Sequence, residues 1–557
     1  MQKQIIECVP NFSEGVDMNI IKQITDEIEK IEGVKLLDVD PGKATNRTVV
    51  TFVGEPKPVI DAAFVAIKKA SELIDMRKHK GEHPRMGATD VCPLIPISGI
   101  TMEETVEYAR KLGKRVGDEL NIPIYLYESA ASNQERKNLA NVRNGEYEGF
   151  AKKIKEENWK PDFGNAIFNE KSGCTAIGAR DFLIAYNVNL NTTSTRRANS
   201  VAFDLRENGR VKEENGKKVF DNHGVEMREP GLLKSVKAIG WFIEEYGIAQ
   251  ISMNLTNINI TPLHIAFDTA VERAAARGMR VTGSELVGLV PLKSILDAGK
   301  YFLQKQKRST GVSEKELIKI AIKSMGLDEF SPFVPQKKII EYVMQDHSMK
   351  RLVDLDLVAF ANETACESPA PGGGSVSAYV ASLGASLGTM VANLSSHKKG
   401  WDDKIETFSN WATLGQQLKD DLLKLVDEDT NAFNKILNAF GLPKSNEDEK
   451  KIRSQAIQDA TLYATQIPLL TMQKSLDCYP MIKEMVSIGN PTSVTDACVG
   501  ALCIRAAIYG AYLNVKINAK DLKDRATADC MLKEASEILA KSNEMEKEII
   551  EITEGRM

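Results

Sequence analysis

The sequence predicts two α+β layered units of ferredoxin-like type followed by an all-α domain, and three observations carry that prediction. Strand and helix patterns alternate over the first 130 residues, a similar order restarts near residue 182, and strand patterns vanish after residue 313. At 557 residues the chain is too long for one hydrophobic core, so three or four units are expected.

In order, residues 4–9 read as a strand and 18–31 as an amphipathic helix. Residues 34–39 and 48–53 are short β-rich runs, separated by Asp40-Pro41-Gly42-Lys43. Pro56 opens a helix to about residue 74, at an early position where proline is tolerated. Residues 91–96 resume an extended pattern, 102–120 form a helix and 122–127 a further strand. Residues 162–180, rich in Gly, Asn and Ser, read as loop. The second unit runs through a strand at 182–189, a helix at 193–206, strands at 234–242 and 248–255 and a helix at 262–277. Within it, 207–230 is polar and charged and reads as an exposed hairpin without catalytic duties. Beyond Ser313, which has the spacing of a capping box with Glu316, the patterns are helical. The main boundary falls near residue 347, in a connector over 343–352, giving units over 1–181, 182–342 and 353–557.

A net charge of −5 and a pI near 5.9 argue against a general nucleic-acid binder, so any anion site must be built locally. The opening MQKQIIECVPNF has no apolar signal-peptide core. Eight scattered cysteines without a C-x-x-C pair fit a reduced, cytoplasmic setting. Residues 375–394 are twenty uncharged residues with Gly384 and Gly388 at GxxxG spacing, which raises a membrane span. Five Ser or Thr, an Asn and two Gly make the run weakly apolar, so a buried, tightly packed helix of a soluble bundle is expected instead.

Chemistry concentrates between Arg77 and Asp90. Fourteen residues hold two of the six histidines, His79 and His83, with Arg77, Lys78, Lys80 and Arg85 around them. Imidazole is suited to moving protons near neutral pH, and the cations favour an anionic substrate. Three readings stand open. His79, Glu82 and His83 spell H-x-x-E-H, a zinc pattern, but it requires a helix, and Gly81 and Pro84 oppose one. A solvated basic loop is the plain alternative. The reading preferred is a loop-borne general acid/base.

In the helical part, residues 368–375 (SPAPGGGS) supply flexible backbone at a helix start, where amides form an anion seat; no Gly-Lys-Ser/Thr follows, so it is not a Walker loop. Asp427, Glu428 and Asp429 lie in an apolar-periodic helix over 422–437 and point about 100° apart, so one of them can face inward.

Longer matches now carry a family. ECVPNFSEG (7–15), LLDVD (36–40), TNRTV (45–49), KGEHPRMGATDVCP (80–93) and FLIAYNVNL (182–190) resemble glutamate formimidoyltransferase. PGGGSVSA (371–378), LVDEDTNAF (425–433) and GAYLNVKIN (510–518) resemble formimidoyltetrahydrofolate cyclodeaminase. The chain thus resembles the bifunctional formimidoyltransferase-cyclodeaminases of histidine degradation over essentially its full length. The resemblance implies two α/β subdomains and a helical domain, transfer of a formimino group from N-formimino-L-glutamate to tetrahydrofolate, and cyclisation to 5,10-methenyltetrahydrofolate with loss of ammonia. It implies His83 as the catalytic histidine of the transferase, Asp40 as an acid of its cleft, and Asp429 as the catalytic acid of the cyclodeaminase. A folate-contacting loop is implied over Gly164, Asn165, Ala166, Ile167, Phe168, Asn169, Glu170, Lys171, Ser172 and Gly173. It also implies polyglutamylated folate as substrate, no metal, and a ring-like homo-oligomer such as an octamer. Arg77, Lys78, Lys80 and His397-Lys398-Lys399 are candidates to hold a polyglutamate tail. The excursion at 207–230 departs from the vertebrate pattern.

Overall fold

The computed structural model describes residues 4–42, 46–80, 85–214, 217–221, 223–244, 246–344, 351–368 and 370–557. His83 and the boundary near residue 347 lie outside the described residues. The chain divides into two compact units, 1–295 with 325–345, and 296–324 with 346–557.

The first unit holds two main sheets and two two-stranded ribbons among the described residues. In the first sheet, β1 (Ile5–Cys8) and β2 (Asn11–Phe12) lie between β4 (Arg47–Gly54) and β5 (Thr89–Ser98). The strand β3 (Val34–Gly42) pairs with β4, while β7 (Thr175–Ala179) and β6 (Ile124–Glu128) continue beyond β5. Pairing is antiparallel except β5–β7 and β6–β7, which are parallel. The helices α1 (Met18–Glu29), α2 (Pro56–Leu73) and α3 (Met102–Leu120) bury their apolar stripes against Ile6, Phe52, Leu94 and Ile177. A capping box starts α3: the Thr101 hydroxyl accepts from Glu104 N–H and the Glu104 carboxylate from Thr101 N–H. The short helices α4 (Leu139–Arg143) and α5 (Glu146–Lys153) support a second cluster of Tyr125, Tyr127, Phe150 and Cys174. Glu7 on β1 is 6% exposed, and burial lifts its carboxyl to about 7 against the pull of Arg180.

One expectation fails here. Residues 162–180 are not all loop, because Thr175–Ala179 is the strand β7, inserted between β5 and β6. A short strand buried on both faces shows no alternation, and its Gly and Thr read as turn residues.

The second sheet has the order β13 (Val236–Ile243), β14 (Ile248–Leu255), β8 (Ile184–Leu190), β15 (Val281–Val287). One face, with Ala238, Met253 and Tyr186, packs under α6 (Thr195–Leu205) and α7 (Leu263–Ala275). The opposite face mixes exposed Ile239, Trp241 and Val287 with a chain of polar side chains. Trp241 Nε1 donates to Gln250, Gln250 to Asn189 and Asn189 to Glu329, at 3.1, 2.8 and 2.6 Å. In the excursion, β9 (Arg210–Val211) pairs with β12 (Arg228–Glu229), and β10 (Glu213–Glu214) with β11 (Lys217–Lys218). Further along come α8 (Leu292–Lys305), α9 (Glu314–Met325), α10 (Pro335–Lys338) and α11 (Ile340–Val343).

The second unit is helical: α12 (Leu357–Ala365), α13 (Gly373–Ser396), α14 (Ile405–Phe440), α15 (Glu447–Leu476), α16 (Tyr479–Ile488), α17 (Val494–Ala519) and α18 (Arg525–Glu554). The uncharged run at 375–394 lies inside α13, and more than half of it is buried in this unit. A Cβ on Gly384 would come within 2.8 Å of the Gly500 carbonyl, so the small residue allows α13 and α17 to touch backbone to backbone. Residues 296–324 also belong to this unit. Thr310 N–H donates to Ser409 Oγ at 3.0 Å, the Gly311 carbonyl accepts from Asn393 at 2.7 Å and Gln416 at 3.2 Å, and Ser309 N–H donates to His397 Nε2 at 3.3 Å.

Candidate active sites

The first candidate centre is built from the described residues that flank 81–84 in the chain; His83 itself falls in 81–84 and lies outside the described residues. The entering root of 81–84 is held by Asn46: the Asn46 side chain donates to the Lys80 carbonyl at 2.8 Å, and the Asn46 carbonyl accepts from His79 Nε2 at 2.8 Å. Its leaving root is held by Asp90, 0% exposed, whose Oδ1 accepts from Met86 N–H at 3.0 Å. Asp90 Oδ2 pairs with Arg143 at the end of α4. Arg85 forks onto Glu148 on α5 at 2.7 and 2.9 Å and also reaches Glu146 at 3.2 Å. That bond holds the Glu148 carboxyl below its usual range. A cavity of about 460 Å³ is lined by Lys80, Arg85, Gly145, Glu146 and Glu148.

His79 is committed to structure. Its Nδ1 accepts from Arg85 Nε at 3.2 Å while Nε2 faces the Asn46 carbonyl, so the Nε2–H tautomer satisfies both contacts. The H-x-x-E-H reading thereby loses one of its two imidazole ligands, since Nδ1 has no lone pair left for a metal.

Asp40 stands exposed on β3, opposite Val49 of β4, with Arg47 as a charged neighbour. The folate-loop candidates divide into two groups. Asn165, Ala166 and Ile167 are exposed, and Phe168 packs on Tyr147 with centroids 5.2 Å apart. Asn169, Lys171 and Ser172 instead build the loop. Asn169 Oδ1 accepts from Ser172 N–H, and Lys171 Nζ reaches the Glu72 carbonyl. Backbone bonds from Met76 to Lys171 O (2.9 Å) and from Ala88 to Ser172 O (2.8 Å) fasten this loop to both sides of 81–84. Of the cations proposed for an anionic tail, Arg77 is forked on Asp75, whose carboxyl it holds down to about 2. Lys398 lies over the Trp401 ring at 4.4 Å.

The second candidate centre separates the three adjacent acids of α14. Asp427 Oδ1 accepts from Leu352 N–H at 2.6 Å. Glu428 is held by the Tyr463 hydroxyl. Asp429 turns to the start of α13, where Ser375 donates to it twice, from its hydroxyl at 3.0 Å and from its backbone N–H. Burial raises the Asp429 carboxyl above the usual range, and the Ser375 bonds only partly offset this. Gly374 makes the approach possible: a Cβ there would lie 2.1 Å from Asp429 Oδ1. The glycine-rich segment therefore seats a carboxylate of the protein itself. Asn514 on α17 flanks the same place, beside Gly373. Neither Ser375 nor Asn514 stood out in the sequence, because helix packing alone brings Ser375 to Asp429 and Asn514 beside Gly373.

Three family models cover the chain in sequence. The N-terminal subdomain of the formiminotransferase domain matches residues 5–180, the formiminotransferase domain 185–345, and formiminotransferase-cyclodeaminase 356–537. The rat formimidoyltransferase-cyclodeaminase (Rattus norvegicus) is 42% identical over 522 residues, 94% of this chain and 93% of the relative. This chain belongs to the formimidoyltransferase-cyclodeaminase family. The Dictyostelium discoideum member of the family is 42% identical over 555 residues, 99% of each chain. A glutamate formimidoyltransferase from Thermoplasma acidophilum is 45% identical over 302 residues, 54% of this chain and 92% of that protein. In the family's terms, the first centre lies in the stretch matched by the formiminotransferase models and the second in the stretch matched by the formiminotransferase-cyclodeaminase model.

Proposed function

We propose that this chain transfers the formimino group of N-formimino-L-glutamate to N5 of tetrahydrofolate and then closes the product to 5,10-methenyltetrahydrofolate with release of ammonia. The observation that carries this reading is the end-to-end match to enzymes named for both activities. In the first step N5 attacks the amidine carbon and loses its proton, and the glutamate nitrogen must gain one to leave. A single imidazole can perform both transfers, and His83 is assigned that role. The anchoring of both roots of its segment, by Asn46 and Asp90, supports a positioned base. Asp40 is assigned to the same cleft through its neighbour Arg47, and the exposed Asn165, Ala166 and Ile167 are offered to the folate.

In the second step N10 closes on the formimino carbon. N10–H is deprotonated, the former imino nitrogen is protonated, and ammonia leaves. Asp429 is assigned this proton traffic, and its burial beside Ser375, which brings its affinity for a proton toward the working range, supports the role. The reading extends to a polyglutamylated substrate, for which a cavity of about 410 Å³ lined by Lys444, Lys450, Arg453 and Lys523 offers a basic seat. It extends to a homo-oligomer, which the exposed Val499, Leu502, Tyr509, Leu513 and Ile517 of α17 favour, and to a cytoplasmic setting, which eight free cysteines suit. The test is stoichiometric: formiminoglutamate and tetrahydrofolate with the purified chain should yield glutamate, ammonia and methenyl-folate absorbance in equal amounts. Absence of ammonia with intact glutamate release would sink the second activity, and absence of both would sink the reading.

A further inference from the structure

The second centre contains a polar group that the proton chemistry does not use, the side-chain amide of Asn514 on α17. Two rungs fix its place against the start of α13. Gly510 lets Ser377 in, since a Cβ there would lie 2.4 Å from Ser377 Oγ, and one turn further along α17 Asn514 comes beside Gly373. The Ser377 hydroxyl donates to the Gly373 carbonyl at 2.7 Å, and Asn514 Nδ2 donates to the Gly510 carbonyl at 2.9 Å, so each rung is tied to the next. A carbonyl can only accept, which decides the end of the amide that points at Gly510 and leaves Oδ1 as the free end. That oxygen takes no hydrogen bond among the described residues, yet it is not sealed in, and Asn514 is only half-buried.

The three glycines sort the surroundings. A Cβ on Gly374 would run into Asp429, and one on Gly373 would lie 3.4 Å from Asn514 Nδ2 and 3.9 Å from Oδ1. One on Gly372 would meet nothing within 4 Å among the described residues. Gly372 and Gly373 are exposed, while Gly374 is buried. The start of α13 is therefore an open ledge with a carboxylate on one flank and an unengaged acceptor on the other. The glycines that face them are consecutive, with Cα atoms about 3.8 Å apart.

We infer that Asn514 is a further catalytic residue of the cyclisation, its Oδ1 accepting a hydrogen bond from the nitrogen that leaves as ammonia. This rests on the cyclodeaminase reading above and adds to it the group that holds the leaving nitrogen. An amidine is a strong base, so the formimino group enters as an amidinium with two N–H bonds on its terminal nitrogen. N10 bonds to the carbon, the carbon–nitrogen π pair moves onto that nitrogen, and the N10 proton reaches it by way of Asp429. The carbon–nitrogen bond then breaks, giving ammonia and the methenyl cation. The amidinium spreads its charge over two nitrogens and the carbon between them, whereas the ammonio group formed just before departure concentrates it on one. An acceptor at that nitrogen gains most in the departing state, which is where a contact accelerates. An amide oxygen suits the task, because it accepts from N–H groups without competing for the proton that Asp429 carries.

The test uses the full chain with Asn514→Leu, which removes the acceptor at similar volume. With supplied 5-formiminotetrahydrofolate, kcat for ammonia release should fall roughly 10- to 100-fold, the loss expected for one hydrogen bond to a charged group, while KM stays within about threefold. Run backwards from 5,10-methenyltetrahydrofolate and ammonium chloride, the variant should show a raised KM for ammonia. The KM for the methenyl substrate should stay within about twofold, because the methenyl bridge offers no N–H. A rise shared by both KM values, or confined to the folate, marks a disturbed helix contact and overturns the assignment. If Asn514→Leu fails to fold, judged by helical circular dichroism, Asn514→Ala takes its place with the same expectation, and a wild-type kcat in it overturns the assignment. The two claims fail differently. A wild-type chain that releases no ammonia fails the cyclodeaminase reading and takes Asn514 down with it. A wild-type chain that does, beside a variant within about twofold of it, fails the assignment of Asn514 alone.

Discussion

Replacing Gly374 by alanine tests the second centre at its tightest point. The added Cβ would lie 2.1 Å from Asp429 Oδ1, 2.5 Å from Cγ and 2.7 Å from Oδ2, where ordinary contact begins at 3.4 Å. The carboxylate must retreat by more than an ångström, because the other side of the contact is the backbone of α13. That retreat breaks the 3.0 Å bond from the Ser375 hydroxyl, a loss of about 1.5–3 kcal/mol for a charged acceptor. Alanine in a helix recovers up to about 1 kcal/mol over glycine, so global stability should fall by about 0.5–2 kcal/mol. Catalysis should change much more, since a displacement of about 1 Å at a reacting group costs on the order of a hundredfold in rate. The assay is methenyl-folate absorbance and ammonia release from supplied 5-formiminotetrahydrofolate, with transfer from formiminoglutamate as the internal control. A Gly374→Ala chain that cyclises within about twofold of the wild type would refute the reasoning that the position of Asp429 matters.

Three further outcomes are expected. His83→Ala should lower formimino transfer by roughly a hundred- to ten-thousandfold while cyclisation of supplied 5-formiminotetrahydrofolate continues, both read in stopped assays. Asp429→Asn should halt ammonia release and let 5-formiminotetrahydrofolate accumulate, visible by chromatography. Glu7 gives a stability prediction. Its carboxyl sits near 7 in the fold against 4.5 in the open chain, so the folded state holds the proton longer. The penalty for ionising it appears as pH rises from 4.5 through 7 and is complete above that, on the order of 3 kcal/mol. Glu7→Gln should therefore gain urea resistance over the wild type at pH 8 and keep little of that advantage at pH 5. An equal gap at both would refute the assignment to burial.

The layered fold was readable in sequence because amphipathic helices such as α1 and α3 announce themselves by period and caps. β7 was not, since a fully buried strand has neither alternation nor exposed markers. The same contrast divides the sites. His83 and Asp429 stand in local motifs that can be matched as written. Asn46 stood inside the TNRTV run without distinction, because what gives it meaning is its bonds to Lys80 and His79, more than thirty residues further along the chain. The acids of α14 show the limit most clearly: equal as letters, they are assigned to three different neighbours only by helix packing.

The family model for the transferase half runs to residue 345, yet 296–324 belongs with the helical unit and is stitched to it through Thr310 and Gly311. A gene cut between the two activities at the sequence boundary would thus orphan a helical hairpin from its bed. The amputated cyclodeaminase fragment would expose the shelf formed by Asn393, Ser409 and Gln416, and a working excised version would need that hairpin grafted back or supplied as a separate peptide.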